Sequence, residues 1–402
     1  MDSVKPNEIL DKQDFCSAEA KRVWMLTSNM KFYPPDSYHI DDCFHSILRL
    51  ARKNDIGTGS VPFISYYMNQ RLGSYNICAT ACDIYYEIAR RNDSNRICCE
   101  DSVPVIVKAL GKFVQTPEFC ERALAVICEI NGGDLRLWRR CAESDCFPLF
   151  MTILKNHKTW PDLCRYACNG LVKMLASPHP DLANPNYVDA DRVFSDGGVG
   201  VLIGIMDYHF SREEVCIYAS KAIEYITGLC SNSCVDCVKA GIVPIILDII
   251  DKKKNATLVE SVCTVMSNIS DYDLIGGEDV KETIPVLIKA LKEHVYSTNI
   301  CSALSLTLLN IMGRNVDCVQ KDTTTEALVA VQDIHVDNAK IIADTGKVLH
   351  LIAVRDTGIH PHKLSPVSHQ GYCDICKSLA TQFMGCRDCD YDECLLCNGV
   401  GS

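Results

Sequence analysis

"AGIVPIILDI", residues 240–249, sets a glycine, then a proline three residues on, then isoleucine and leucine at close spacing. Pro244 suits the first turn of a helix, where its missing N–H has no intrahelical bond to lose. The apolar residues around it recur at i, i+3 and i+4, the spacing of one helix face. Five other segments superpose on this one: "GSVPFISYYM" at 59, "DSVPVIVKAL" at 101, "DCFPLFMTIL" at 145, "GGVGVLIGIM" at 197 and "ETIPVLIKAL" at 282. Aligning Pro62, Pro104, Pro148, Gly200, Pro244 and Pro285 gives steps of 42, 44, 52, 44 and 41 residues. Each anchor opens a helix after a turn, and a second helical stretch follows it. Examples are "TLVESVCTVMSNIS" (257–270) and "STNICSALSLTLLNIM" (297–312).

Repeats of this length are pairs or triplets of helices, and one unit alone cannot bury its apolar face, so neighbours must stack. The Gly-x-Val-Pro anchor, with an asparagine some 25 residues on, resembles the armadillo repeat. The resemblance covers about residues 39–355, with degenerate half-units "SYHIDDCFHSILRLARKND" (37–55) and "DNAKIIADTGKVLHLIAV" (337–354) at its ends. It implies an all-α, right-handed superhelical solenoid with a concave groove lined by the last helix of each unit. In peptide-carrying members an asparagine ladder in that groove bonds the backbone of an extended ligand. The matching positions are Asn268 and Asn310, with Asn131 and Asn169 out of register. An asparagine near a helix end is also a common C-terminal cap, and both readings stay open. Nuclear import receptors carry a tryptophan one turn earlier, which this chain lacks, so import cargo is not the expected ligand. The 52-residue step contains "SPHPDLANPNYVDADRV" (177–193), read as a loop inserted between helices.

The C-terminal end reads differently. "CDICKSLATQFMGCRDCDYDECLLC", residues 373–397, holds six of the 25 cysteines in three C-x2-C pairs. With no signal-like amino terminus, a cytoplasmic or nuclear chain with reduced thiols is expected, and there such pairs are metal ligands rather than disulfides. Tetrahedral zinc takes four ligands, so six cysteines close one site and leave a second half built. His360 and His362, just upstream, complete it. The short gaps between the pairs favour alternation between two zinc ions. Cys373, Cys376, Cys394 and Cys397 are expected on one ion and Cys386, Cys389, His360 and His362 on the other, with His369 as an alternative ligand. Residues 356–402 then form a linker and zinc module held together mainly by metal, and residues 1–38 an N-terminal segment.

"CDIC" and "MGCRDCDYDECLLC" also resemble the ZZ-type finger, and the leading "HPHKL" resembles divergent cysteine/histidine-rich relatives of the phorbol-ester finger. The ZZ likeness implies that Asp388, Asp390 and Asp392 form an acidic surface for a basic tail or a free amino terminus. Aspartates at such positions also cap turns, which serves the fold alone. The remaining cysteines, such as Cys78/Cys82, Cys164/Cys168 and Cys230/Cys234/Cys237, are spaced as core residues on helix faces.

The formal charge of −11 disfavours a nucleic-acid partner, and no apolar run long enough for a membrane span is present. No P-loop, G-x-S-x-G or H-E-x-x-H motif points to catalysis. The expectation is a non-enzymatic protein-interaction scaffold. The alternative is a ubiquitin ligase, or an adaptor of one, recruiting a conjugating enzyme through the zinc module. Against that alternative, the C-x-H element of a RING is missing.

Overall fold

The computed structural model describes residues 18–30, 33, 37–53, 59–142, 146–176, 197–272, 275, 278–313, 321–354, 365–373, 379–386 and 391–394. Apart from three short strands near the C-terminus, its regular elements are helices. The chain divides into two compact units, Met1–Ala222 and Ile223–Ser402.

In the first unit, helix α1 (Ala18–Met30) packs on α2 (Tyr38–Lys53). Then come α3 (Val61–Gln70) with α4 (Tyr75–Ala89), α5 (Asp93–Cys98), α6 (Val103–Lys112) with α7 (Pro117–Asn131), α8 (Leu135–Ala142), and α9 (Cys146–Asn156) with α10 (Pro161–Ala176). Next are α11 (Val199–Tyr208) and α12 (Glu213–Leu229), within which the division after Ala222 falls. The long helices α2, α4, α7 and α10 contact one another in succession, and α3 contacts α6 as α9 contacts α11. Two stacked layers result. The second unit continues the pattern with α13 (Ser231–Lys239), α14 (Ile242–Lys252) and α15 (Ala256–Ser270), then α16 (Glu278–Glu293) with α17 (Thr298–Met312), and α18 (Lys321–Ile334) with α19 (Ala339–Val354). Here α15, α17 and α19 stack on one another, as do α14, α16 and α18.

The short helices α5, α8 and α13 precede the anchor helix, so those units have three helices rather than two. Gly241, at φ +78°, breaks the chain between α13 and α14, and Gly197 at φ +88° stands at the equivalent place three residues before Gly200. That left-handed conformation suits glycine, which carries no Cβ. At the sixth anchor the equivalent residue is Glu282, no break occurs, and α16 runs continuously from Glu278. Pro285 therefore lies inside the helix, not in its first turn as expected. Val280, Ile284, Leu287 and Leu291 are all buried, so the apolar stripe reaches upstream past the proline.

The end units also differ from expectation. Each is a full helical pair rather than a half-unit. Val23, Thr27 and Met30 of α1 are buried at steps of four and three, and Leu328 and Val331 of α18 are buried with no proline to announce that helix. The expected loop at 177–193 lies outside the described residues.

The C-terminal strands β1 (Ser365–Tyr372), β2 (Leu379–Cys386) and β3 (Tyr391–Cys394) form one antiparallel sheet in the order β1-β2-β3.

Candidate functional site

The helical layers are joined by side chains that recur at fixed places. The fourth residue of five long helices is a cysteine: Cys78, Cys120, Cys164, Cys216 and Cys301. Each thiol donates to the carbonyl seven residues upstream, at the end of the preceding helix. The acceptors are Arg71 (3.6 Å), Phe113 (3.5 Å), His157 (3.7 Å), His209 (3.3 Å) and His294 (3.5 Å). Burial pushes the thiols of Cys78, Cys120 and Cys164 up to about 12 and that of Cys301 to about 11, so they remain S–H donors near neutrality.

A histidine one repeat on completes the latch. His157 Nε2 lies 2.8 Å from the Val114 carbonyl, His209 Nε2 2.8 Å from that of Lys158, and His335 Nε2 2.7 Å from that of Val295. A carbonyl only accepts, so each Nε2 carries the proton. The thiols of Cys120, Cys164 and Cys301 share their single hydrogens between the carbonyl seven residues upstream and these same three carbonyls. One backbone oxygen thus takes a thiol from its own repeat and an imidazole from the next, filling both lone pairs. Two of the three latch histidines stand seven residues before a latch cysteine, in "HKTWPDLC" and "HFSREEVC", and reading the cysteines as packing residues passed over this; His335 has no such pair.

Asn268 and Asn310 are each the thirteenth residue of their helices, α15 and α17. Asn268 Nδ2 donates to Thr227 Oγ1 at 3.0 Å, and Asn310 Nδ2 donates to Ser270 Oγ at 3.0 Å and to the Asp271 carboxylate. Thr227 and Ser270 are both fifteenth in the preceding long helix, so the two bonds are equivalent. Each amide nitrogen is tied sideways to the neighbouring repeat, not back to its own helix end. Among the described residues neither Oδ1 takes a hydrogen bond. Asn131 and Asn169 stand fifteenth and ninth in α7 and α10, out of this register.

Of the expected metal ligands, Cys376, Cys389, Cys397, His360 and His362 lie outside the described residues, as do Asp388 and Asp390. Cys386, Cys394 and Asp392 are placed by backbone, and Cys373 is buried. The sheet register sorts these positions. Tyr372, just before Cys373, pairs with Leu379 at one end, whereas Ser365 pairs with Gly385 and Cys386 with Tyr391 at the other. Cys394 pairs with Phe383, on a strand running back toward the Cys373 end. At about 3.4 Å per residue the two ends of β2 stand roughly 24 Å apart. Among the described residues no cluster of three or more potential ligands is assembled.

A solved structure from work on a conserved phosphorylation switch that controls the interaction between cadherin and beta-catenin matches with a TM-score of 0.67 at 15% identity. The match covers 82% of this chain and 61% of that one. This is an armadillo fold. Designed armadillo repeat proteins also match, at TM-scores of 0.46 and 0.45 and identities of 15% and 16%, with 62% of this chain and 99% of each covered. The second of these was solved in complex with the peptide (KR)4. This chain spans about three fifths of the first structure's length, so the likeness extends to the armadillo architecture and no further. No protein-family model and no curated protein matches the sequence. Among the described residues no helix is long and apolar enough to cross a membrane.

Proposed function

We propose that the chain is a non-enzymatic interaction scaffold whose armadillo repeats hold an extended segment of a partner protein. The observation that carries this reading is the equivalence of Asn268 and Asn310. Each amide nitrogen is anchored to the preceding repeat while its Oδ1 stays unspent, so two carbonyl acceptors are held in fixed orientation on neighbouring helices. Packed helices stand about 8–10 Å apart, which an extended peptide spans in about two to three residues. Backbone N–H groups of a ligand meet such acceptors without regard to its sequence. The asparagines then act as acceptors from the ligand, not as donors and acceptors together.

The C-terminal module is proposed to bind two zinc ions and, through Asp388, Asp390 and Asp392, a basic tail or free amino terminus. The register supports the two ligand sets. Cys373 lies at one end of the sheet, toward which β3 carries Cys394, and Cys386 lies at the other, where the chain following His360 and His362 enters β1 beside Gly385. Thiolate and imidazole donors suit zinc, which would supply cross-linking of the strands.

The full chain is tested by selection against a displayed library of unstructured peptides. Enriched peptides should bind the Asn268→Ala/Asn310→Ala chain at least about fivefold more weakly, the worth of one net hydrogen bond. Unchanged binding by a folded double variant would remove the peptide reading. Metal analysis should return two zinc ions per chain, and one or none would overturn the ligand assignment.

A further inference from the structure

Cys141 stands apart from the other buried cysteines. It lies near the end of α8 at 2% exposure, and Cys146, the first residue of α9, is fully buried. The Cys146 thiol donates to Cys141 Sγ, which also receives Asn131 Nδ2 at 3.1 Å. These bonds, that from Cys146 foremost, together with the Arg140 charge lower the Cys141 thiol below its ordinary value, whereas burial pushes nearby Cys128 up to about 12. A cavity of about 80 Å³ meets this sulfur, lined by Asn131, Arg140, Cys141, Leu137, Val103 and Glu100. Asn131 is 1% exposed, and its Oδ1 is buried there with no hydrogen-bond partner. An unpaired buried acceptor is costly and rare. Asn131 and Cys141 both line this cavity, which is large enough for a small polar molecule.

We propose that Cys141 and Cys146 are a peroxide-reactive dithiol, with Cys141 as attacking sulfur, Cys146 as resolving sulfur, and Asn131 as the group that positions a hydroperoxide. Asn131 Oδ1 accepts the hydrogen bond of the peroxide O–H, while its Nδ2 holds Cys141 Sγ on the same side of one amide. The Cys141 thiol gives up its proton, the thiolate attacks the near oxygen, the O–O bond breaks, and the leaving hydroxide takes up that released proton to become water beside the Arg140 charge. Cys141 is then a sulfenic acid. The Cys146 sulfur, already in contact, attacks the Cys141 sulfur; the S–S bond forms, the S–O bond breaks, and a second water leaves. Two thiols are oxidised by two electrons as hydrogen peroxide is reduced to two waters. The latch cysteines Cys78, Cys120, Cys164 and Cys301 lack this chemistry, because burial holds their protons, which they donate to carbonyls.

The reduced full chain is exposed to hydrogen peroxide, quenched with an alkylating agent and analysed by peptide mass spectrometry. The Cys141–Cys146 disulfide should form at least about tenfold faster than oxidation of the exposed Cys98, an internal reference in the same molecule. Cys146→Ser should leave Cys141 as a sulfenic acid that dimedone captures. Asn131→Ala should slow the reaction of Cys141 while leaving Cys98 unchanged. Cys141 reacting no faster than Cys98 in the unaltered protein would overturn the proposal, a result that needs no variant to fold. Absence of dimedone label at Cys141 in folded Cys146→Ser would overturn it equally.

Discussion

Replacing Asn310 with alanine deletes two inter-repeat hydrogen bonds at once, one to the Ser270 hydroxyl and one to the Asp271 carboxylate. The hydroxyl bond is neutral and worth about 1 kcal/mol net. A bond to a charged acceptor is worth about 1.5–3 kcal/mol, taken at the low end because Asp271 is exposed. No orphan penalty adds to this: Ser270 Oγ still donates to the Ser267 carbonyl at 2.7 Å, and Asp271 rehydrates. The loss should therefore be about 1.5–2.5 kcal/mol, read from urea unfolding followed by far-ultraviolet circular dichroism. Asn310→Asp should cost more than alanine, since a second carboxylate would face Asp271. A cycle of Asn310→Ala, Asp271→Ala and the double variant should return a coupling of about 1 kcal/mol. Equal stability of the Asn310→Ala chain, or a coupling of zero, would refute the staple and leave a solvent-facing asparagine in its place.

Two further outcomes bear on the fold. Asp134 caps α8, accepting from the Arg136 backbone at 2.9 Å and from its guanidinium at 2.7 Å, and these bonds hold its carboxyl at about 2, below the ordinary 3.8. A carboxyl depressed in the folded state stabilises above its unfolded value and loses that contribution as pH falls between the two. Asp134→Ala should thus cost about 1 kcal/mol at neutral pH, and the gap should close as pH is lowered toward about 2 in parallel denaturation curves. Gly170, inside α10, sits against two fully buried rings: an added Cβ would overlap the Phe150 ring edge and stand 3.2 Å from Trp138 Cζ3. Overpacking of about 1–3 kcal/mol then outweighs the roughly 1 kcal/mol of helix propensity gained, so Gly170→Ala should lower the melting temperature, and Phe150→Leu should restore part of it.

The anchors legible in the sequence were those whose local chemistry matches their structural place. Pro62 and Pro104 stand in the first turn of α3 and α6. Pro285 misled because nothing upstream of it interrupts the helix, which runs on from Glu278, whereas Gly241 breaks the chain before Pro244 and a separate 3-10 turn, Glu100–Ser102, precedes Pro104. Helices α1 and α18 carry no proline, and only the spacing of their buried residues could have marked them. The asparagine positions were legible, but their partners were not: whether an amide meets ligand, helix end or neighbour depends on the stacking, which a single repeat does not encode. The thiol and imidazole latches were hidden for a related reason. Their acceptors are backbone oxygens, and every residue has one.

That last point gives the array a grammar. At each histidine latch the variable part, a side chain, sits in one repeat, and the receiving part, a peptide oxygen at a helix end, sits in the repeat before it. Any unit that ends its anchor helix with the same turn offers a socket, whatever residues build it, and any unit with histidine at that turn supplies a plug. Val114 and Val295 on one side and Lys158 on the other receive the same imidazole at nearly the same distance. The histidine latch thus asks for no particular residue in the repeat that receives it, only for a peptide oxygen at the end of its anchor helix.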